Sequence, residues 1–367
     1  MLFLGQASNY SHRAVWRQIF VRGNQNDSNL LRQTLADYYG VPFQNAILTA
    51  NGRSALAFAL KKLLKPGSKV LINGFTCHAV VESLEVAQCQ PVYADIERQT
   101  LSYGPEQLQK CLQKNPDLKA IIIQNTLGIP VDIVKIETIA KKHHLIIIED
   151  LAHAVGMFYP DGRKIGTVGA AAALSFGKSK QLDAITGGAL IFNQRDIVPP
   201  KQPAILPKTS DNLRARFYPL FGRIGRATFR LHLNKIYYGA MIRAHLITRS
   251  GDVKLDLKTR PAHWQSKLIL EQFQKLTTGQ NTPIRNFALV KNRSSVLKKL
   301  RQNGYYFDEI WYDAPVAPIR FYESVNFPES DCPNSVAVAK EIINIPTYYK
   351  KSQMSSALKI INGAKIK

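Results

Sequence analysis

Apolar and polar positions follow two different periods along the chain. In "SALAFALKKLLKPGSKVLING" (residues 54–74), apolar residues recur at helical spacing up to the Pro66-Gly67 pair, and a short apolar run from Lys69 to Ile72 follows. Helical spacing that ends at a Pro-Gly pair predicts a helix, and a short apolar run predicts a buried strand. The segment therefore predicts one helix followed by one strand.

The same succession recurs further along the chain. "VVESLEVAQCQPVYADI" predicts a helix and a strand ending near Asp95, "LKAIIIQN" predicts a strand buried on both faces, and "DIVKIETIAKKHHLIIIED" predicts a helix and a strand ending at Glu149-Asp150. Strands separated by helices indicate right-handed crossovers and a mainly parallel sheet covered on both sides. Ligands bind such sheets at the carboxyl ends of the strands, so polar residues there are candidates for function.

Composition and charge narrow the class of protein. The chain has 367 residues, 45% of them hydrophobic, and a formal net charge of +23. These values are typical of a folded globular protein that is attracted to phosphate groups. Zinc-finger spacings and basic heptad arrays are absent from the sequence, and its aromatic residues are not interleaved with basic ones. We therefore do not expect nucleic-acid binding.

Cysteine usage and hydropathy indicate the compartment. The cysteines Cys77, Cys89, Cys111 and Cys332 lack metal-ligand or CxxC spacing, so we expect neither a disulfide framework nor a metal site. The opening "MLFLGQAS" lacks the pattern of a signal peptide, and no apolar run approaches the ~18 residues that span a bilayer. A reducing, cytoplasmic location fits these features best.

Polar residues occur at several predicted strand ends and helix starts. Asp150 closes "LIIIED", His153 follows it, Ser175 lies near the end of "AAALSF", and the turn 51–54 opens a helix whose N-terminus is a natural seat for a phosphate. Each of these residues, taken alone, is more typical of a cap, a turn or a structural contact. It is their combination in one parallel-sheet protein that points to a site.

Two lysines, Lys178 and Lys180, lie just beyond the predicted strand that contains Ser175. With a phosphate seat and a buried carboxylate, a lysine amine completes the set of groups that pyridoxal phosphate requires: a phosphate cradle, a partner for the pyridine nitrogen and an amine for the Schiff base. The physical argument leaves both lysines as candidates.

Six segments follow one another in a specific order: "NGRSALAFAL", "PVYADIERQTLSYGPEQL", "NTLGIPVDIVKIETIAKKHHLIIIEDLAHAVG", "GRKIGTVGAAAALSFGKSKQLDAITGGALIF" and, more loosely, "RPAHWQSKLILEQFQKL" and "INIPTYY". From about residue 28 onward, the series resembles the DegT/DnrJ/StrS-type pyridoxal-phosphate-dependent sugar aminotransferases, of the aspartate aminotransferase fold (fold type I). The resemblance implies an α/β fold with a large cofactor-binding domain (1–258), built on a mainly parallel seven-stranded sheet between helices. A linking helix and a smaller C-terminal α+β domain (259–367) would follow.

The resemblance also assigns catalytic roles. Lys180 matches the internal-aldimine lysine, because the family places it five residues after the serine of the Ser175-Phe176 pair. Lys180 would then act as general base and acid in the proton shift. Asp150 matches the partner of the pyridine nitrogen, and His153 matches a residue near the phenolic oxygen of the cofactor.

The remaining cofactor contacts follow the family less closely. Gly52 and Arg53, with the Ser175 hydroxyl, match the phosphate cradle, although the family commonly has Gly-Thr there, so Arg53 either strengthens anion binding or points elsewhere. Cys77 occupies the position that usually carries an aromatic ring stacked on the pyridine, and Phe75 or His78 could compensate. Lys258 stands where the family usually has an asparagine that reaches the phosphate of the partner subunit, so this contact is not assigned.

A basic segment from about 199 to 258 is longer than the family pattern requires. Its portion "LRARFYPLFGRIGRATFRLHLNKIYYGAMIRAHLI" (213–247) is rich in arginine and carries apolar residues at helical spacing, while Pro219, Gly222 and Gly225 argue against one long straight helix. One interpretation is a packed helical insertion with solvated arginines. The other is a basic amphipathic element that binds an anionic membrane surface or a pyrophosphate-linked substrate.

The resemblance implies a homodimeric aminotransferase with a shared active site. It would move an amino group, with glutamate as donor, onto a keto-sugar carried on a nucleotide by a ping-pong route. Two alternatives remain: a sugar dehydratase of the same family, which usually has histidine in place of the lysine, and a non-catalytic sensor or membrane-peripheral protein that uses residues 210–246.

Overall fold

A seven-stranded sheet forms the centre of the larger part of the molecule. The computed structural model describes residues 1–4, 10–194, 196–230, 233–248, 253–277, 283, 285–308 and 310–366. Its strands are β1 (Leu2–Phe3), β2 (Ala46–Thr49), β3 (Lys69–Asn73), β4 (Thr76–Cys77), β5 (Gln90–Ala94), β6 (Ala120–Gln124), β7 (Ile146–Asp150), β8 (Ala171–Ser175), β9 (Gly188–Phe192), β10 (Arg285–Leu289), β11 (Tyr305–Tyr306), β12 (Val316–Ala317) and β13 (Ile342–Pro346).

The order of strands in this sheet is β2-β9-β8-β7-β6-β3-β5, and β9 alone in it runs antiparallel to its neighbours. The predicted mainly parallel seven-stranded sheet is therefore confirmed. The predicted strands at 69–72 and near 95, 120 and 150 correspond to β3, β5, β6 and β7.

Helices cover both faces of the sheet. They are α1 (His12–Phe20), α2 (Gln25–Tyr39), α3 (Gly52–Leu63), α4 (His78–Val86), α5 (Pro105–Lys114), α6 (Ile133–Lys142), α7 (Thr209–Arg230), α8 (Asn234–Arg243), α9 (His263–Thr277), α10 (Arg293–Gln302), α11 (Pro333–Glu341) and α12 (Lys351–Asn362). Side chains of β6 show the two-sided burial: Ile121 and Ile123 pack in the cluster with α2, α5, α6 and α9, and Ile122 packs in the opposite cluster with α3 and α4. This alternation explains why the strand reads as a continuous apolar run.

The C-terminal part has its own small core. β10 and β13 pair antiparallel, and α10 and α12 pack with them around residues such as Val290, Leu300, Phe307 and Ile343. The first strand of the chain, β1, pairs parallel with β11, and Leu4 is fully buried in the same core. The sequence interpretation counted these first residues with the large domain, whereas they pack with the C-terminal part. The predicted domain boundary itself stays a prediction.

The basic segment folds into α7 and α8, with residues 231–232 and 249–252 of it lying outside the described residues. α7 runs through Pro219 as one helix from Thr209 to Arg230. Proline removes the amide that would bond the carbonyl four residues earlier, which is that of Ala215. The side-chain amide of Gln18 in α1 donates to that carbonyl at 2.6 Å, and the missing hydrogen bond is thereby replaced. No helix among the described residues is long and apolar enough to cross a bilayer.

Candidate active site

A cavity of about 600 Å³ lies at the carboxyl ends of β6, β7 and β8. Its wall includes all seven residues that the sequence predicts for the site, which are Gly52, Arg53, Cys77, Asp150, His153, Ser175 and Lys180. The basic segment and the C-terminal part supply further wall residues, among them Tyr218, Gly222, Tyr238, Ile242, Ile247, Trp311, Tyr312 and Asp313. Three stretches that are distant in sequence therefore enclose one space.

The loop after β8 holds the two candidate lysines in different surroundings. Nζ of Lys178 donates to the backbone carbonyl of Thr248 at 2.8 Å and lies 4.6 Å from the ring centre of Tyr218. Nζ of Lys180 lies 4.8 Å from the ring centre of Trp311. Lys178 is thus engaged with the basic segment, whereas Lys180 lies against the C-terminal part of the cavity.

The electrostatic surroundings of Lys180 favour a reactive amine. Burial lowers its pKa to about 8, against the opposing influence of Cys77 and of the Asp150 carboxylate. An amine with this pKa is partly neutral near pH 7, and only the neutral amine is a nucleophile or a base. Lysine side chains with depressed pKa values are candidates for chemistry.

Asp183 fixes the loop that carries both lysines. Its carboxylate accepts hydrogen bonds from the backbone amides of Ser179 and Ile185, both at 3.0 Å, and from the Tyr10 hydroxyl at 2.5 Å. Ser179 has φ 64° and Ile185 has φ 71°, in the left-handed region that costs free energy for residues other than glycine. The Asp183 hydrogen bonds therefore hold a strained loop in one conformation.

The two carboxylates at the end of β7 have separate functions. Glu149 is fully buried and accepts four hydrogen bonds of 2.7–2.8 Å, from the Tyr159 hydroxyl and from the amides of Gly166, Val168 and Gly169. Asp150 lines the cavity and accepts a hydrogen bond from the amide of Ala152 at 2.9 Å. Burial raises the pKa of Asp150, while the Ala152 amide and the Lys180 charge oppose that shift.

His153 is buried, and its Nδ1 accepts a hydrogen bond from the backbone amide of Leu127 at 3.1 Å. Burial, with Lys180 and Arg285 nearby, lowers its pKa well below the usual value, so the ring is neutral. Since Nδ1 is the acceptor, the proton of the neutral ring is on Nε2. His153 can therefore donate one hydrogen bond without carrying a charge.

A possible anion seat lies where α3 begins beside the end of β8. The Asn51 side chain caps the helix by accepting hydrogen bonds from the amide and the hydroxyl of Ser54, both at 2.9 Å. A Cβ added to Gly52 would lie 2.7 Å from Cβ of Ser175, so glycine is required for this close approach. The helix N-terminus and the Ser175 hydroxyl thus meet at the cavity wall, as anion binding requires.

Arg53 lines the cavity but its guanidinium is engaged on one side. Nη1 forms a hydrogen-bonded ion pair with Glu82 of α4. This contact ties α3 to α4 and directs part of the guanidinium toward a protein carboxylate. Of the two possibilities left by the sequence, the structure favours an arginine that is partly directed elsewhere.

The aromatic residues of the cavity differ from those that the sequence suggested. Cys77 lines the cavity, whereas Phe75 is buried against Tyr312, and His78 stacks on Phe321 with ring centres 4.5 Å apart. The indole of Trp311 instead stacks on His153, with ring centres 4.8 Å apart. Neither suggested substitute for the stacked ring is among the described wall residues.

Sequence reasoning missed the C-terminal contribution to this site. Trp311 and Tyr312 lie in the irregular stretch before β12, in "IWYDAPVAP", where no periodic pattern predicts their position. They reach the cavity because β12 pairs with β4, which ends at Cys77. An aromatic pair beside an aspartate was the one available hint. Among the described residues, no cluster of His, Cys, Asp or Glu could hold a metal ion.

Comparison with solved structures identifies the class of fold. The chain matches the pyridoxal-phosphate form of a putative sugar aminotransferase, Spr1654 from Streptococcus pneumoniae, with a TM-score of 0.66 and 14% identity, covering 96% of each chain. The fold is that of these aminotransferases. A model of the DegT/DnrJ/EryC1/StrS aminotransferase family matches residues 8–199, more than half of the chain. The chain belongs to this family.

Characterised relatives match over a shorter range. A pleiotropic regulatory protein of Geobacillus stearothermophilus is 34% identical over 154 residues, 42% of this chain and 41% of that protein. A UDP-2-acetamido-2-deoxy-3-oxo-D-glucuronate aminotransferase of Pseudomonas aeruginosa is 34% identical over 167 residues, 45% of each chain. The matched region thus covers less than half the length of each of these relatives.

Proposed function

We propose that the chain is a pyridoxal-phosphate-dependent aminotransferase that transfers an amino group from glutamate to a keto-sugar carried on a nucleotide. The observation that carries this proposal is the position of Lys180. Its amine, with a pKa of about 8, lies in one cavity with Asp150 and the anion seat at Gly52 and Ser175. The family to which the chain belongs supports the same reading.

The residues of the cavity fit pyridoxal phosphate. The close approach of Gly52 to Ser175 leaves a helix N-terminus and a hydroxyl for the phosphate. Asp150 would hold the proton on the ring nitrogen, and the neutral His153 would donate from Nε2 to the phenolic oxygen. Lys180 would hold the aldehyde carbon through its amine. When bound, the cofactor supplies an electron sink for negative charge beside the reacting nitrogen.

Lys180 would then move the proton that transamination requires. With cofactor and amino donor bound, Nζ of Lys180 would accept a proton from the donor carbon and later release it, acting first as base and then as acid. A pKa of about 8 suits this exchange, because the amine then accepts and releases protons near neutral pH. Asp183 and its hydrogen bonds keep the lysine loop in place during the exchange.

The cavity is large enough for a sugar beside the cofactor, since ligand sites of this kind measure roughly 300–1,000 Å³. Tyr218 and Tyr238 of the basic segment add aromatic surface to its wall, on which a nucleotide base could stack. Lys178, also in the wall, would add positive charge to attract a pyrophosphate. The relative that acts on a UDP-sugar supports this substrate class.

Borohydride reduction in the presence of pyridoxal phosphate, followed by peptide mass mapping, tests the proposal. We expect the label on Lys180, and we expect its yield to rise between pH 7 and pH 9, because the amine with a pKa of about 8 loses its proton in that range. Lys178→Ala is the matched control and retains the label, whereas Lys180→Ala loses it.

Several results would count against the proposal. A label on Lys178, or no label at all, would remove the basis for the enzyme assignment. If Lys180 is labelled but the unreduced, cofactor-loaded protein keeps its yellow colour on adding glutamate, glutamate is excluded as the donor. If that unreduced protein converts no nucleotide-linked keto-sugar, only the cofactor part of the proposal stands.

A sugar dehydratase is the less favoured enzyme, because those relatives usually carry histidine where this chain has Lys180. A non-catalytic regulatory protein with membrane contact is the second candidate. It is favoured by the similarity to a pleiotropic regulatory protein and by the exposure of Ile236 in α8. We further propose a cytoplasmic homodimer with a shared site, which sedimentation or light scattering would test.

A further inference from the structure

Trp311 contacts three polar groups of the candidate site at once. Its ring centre lies 4.8 Å from Nζ of Lys180, 4.8 Å from the centre of the His153 ring and 3.9 Å from Cζ of Arg285. The rings of Trp311 and His153 are nearly parallel, at 16°. One indole therefore faces two cations and stacks on the neutral histidine beside the reactive lysine.

The protein holds this indole firmly. The amide of Trp311 donates to Oδ1 of the buried Asn344 at 2.7 Å. Tyr312, the next residue, has φ 61°, a left-handed conformation that costs about 1–2 kcal/mol outside glycine. Its buried ring packs on Phe75, and its hydroxyl lies 3.4 Å from Nε2 of Gln124. A strained backbone held by such contacts is typical of a functional position.

Arg285 lies against the indole, with Cζ 3.9 Å from its ring centre, and belongs to the C-terminal part. It is 2% exposed, which is rare for arginine. Its charge lowers the pKa values of both Lys180 and His153. The indole is in contact with Arg285 and Lys180 together, so its negative face stabilises both cations in a place where they would otherwise repel each other.

We propose that Trp311, in contact with Arg285, is a positioning residue that holds the amine of Lys180 and the ring of His153 in the geometry used by the reaction. The proposal rests on the proposed role of Lys180 in holding the cofactor. It explains how a site with Cys77 at the usual aromatic position still has an aromatic surface. That surface comes from the C-terminal part of the chain.

The role of Trp311 predicts a particular dependence of Lys180 on the indole. The other groups that influence the Lys180 amine are Cys77, Asp150, Arg285 and Arg53. Weakening the negative face of the indole removes attraction for the ammonium form alone, so the protonation midpoint of Lys180 falls. Removing the positive charge of Arg285 has the opposite effect, because a like charge disfavours the ammonium form.

Fluorinated tryptophans provide the test, because one, two or three ring fluorines weaken the negative face while nearly keeping the indole shape. The chain without cofactor would be acylated at a series of pH values. Tandem mass spectrometry would then measure how much of Lys180 is modified at each pH. We expect the protonation midpoint of Lys180 to fall stepwise with each added fluorine, by about half a pH unit from none to three. Arg285→Gln in the unmodified chain should raise the midpoint by a similar amount.

The control is the same series in Trp311→Phe, where the other tryptophans, Trp16 and Trp264, are the ones that carry fluorine. A flat midpoint there, beside a stepwise fall in the parent chain, supports the proposal. A flat midpoint in the parent chain, or the same fall in both, overturns it. So does a downward shift in Arg285→Gln. Because the measurement needs neither cofactor nor turnover, its result is independent of whether Lys180 is labelled by pyridoxal phosphate.

Discussion

Two neighbouring carboxylates at the end of β7 have different roles: Glu149 stabilises the fold, and Asp150 faces the cavity. Side chains of a strand alternate between the two faces, so Glu149 and Asp150 point in opposite directions. Glu149 accepts four hydrogen bonds in the core, and Asp150 lines the cavity with one backbone donor. Only Asp150 keeps acceptor capacity for a ligand.

Replacement of Glu149 should therefore destabilise the fold. In Glu149→Gln an amide group faces buried N–H donors that need an acceptor, so we expect the free energy of unfolding to fall by about 2–4 kcal/mol. Urea unfolding followed by circular dichroism measures the change. Glu106→Gln, at an exposed position of α5, is the control and should stay within about 0.5 kcal/mol. Equal effects of the two substitutions would contradict the structural role of Glu149.

Residues that the sequence identified lie next to a recognisable strand end or helix start. Asp150, Ser175 and Gly52 follow from local patterns, and all of them line the cavity. The buried hydrogen bonds of Glu149 could not be predicted in this way, because the donors come from a loop that has no periodic pattern. Trp311 was missed for a related reason, since only the docking of β12 on β4 brings it to Lys180.

The helices of the basic segment, α7 and α8, face the cavity on one side and are exposed on another. Tyr218 and Gly222 of α7 and Tyr238 of α8 line the cavity. In contrast, α8 has no buried residue, and its Ile236 is 70% exposed beside Lys235. An apolar side chain next to basic ones is typical of helices that lie on an anionic bilayer. The two interpretations of the segment therefore concern different faces and can hold together.

Liposome flotation separates these faces. We expect Ile236→Asp to reduce binding to vesicles rich in anionic lipid about tenfold, because it removes an apolar contact and adds a negative charge. The difference in binding between the parent chain and Ile236→Asp should be smaller at high salt, because salt weakens the binding of the parent chain itself. Val134→Asp, at a 50% exposed position of α6, is the matched control. Unchanged flotation of Ile236→Asp would exclude α8 as a membrane contact.

Local patterns predicted most elements, but they could not show how α7 continues through Pro219. A proline inside a helical pattern normally ends or kinks the helix, because one amide is lost. In α7 the donor that replaces it is Gln18, which belongs to α1 far earlier in the chain. Sequence reasoning on a single helix has no access to such a donor. The continuity of α7 thus depends on tertiary contact.

At the scale of the whole molecule, the two ends of the chain meet in the C-terminal core. Leu4 is fully buried there with Val290, Phe307 and Ile343, and β1 pairs with β11. The same part of the molecule contributes to the cavity, because Trp311 and Tyr312 lie in the stretch between β11 and β12. Packing of the first residues therefore supports the site at a distance.

Leu4→Ala tests whether the first residues are part of this core. The substitution leaves a cavity in the small core, and we expect it to lower the free energy of unfolding by about 2–4 kcal/mol, measured by urea titration. Leu213→Ala, at a position of α7 that is 50% exposed, serves as the control and should change it by less than about 1 kcal/mol. If both variants were equally stable, residues 2–4 would not belong to the core.

The pairing of β1 with β11 also bears on how the protein is made. Leu2 leaves the ribosome long before its partner Tyr305 has been synthesised, so the two strands cannot meet until all the residues between them have been made. Contacts between such distant residues form late, because closing so long a loop costs entropy first. The growing chain therefore carries β1 as an unpaired strand until β11 has been synthesised, and only then can the two strands pair.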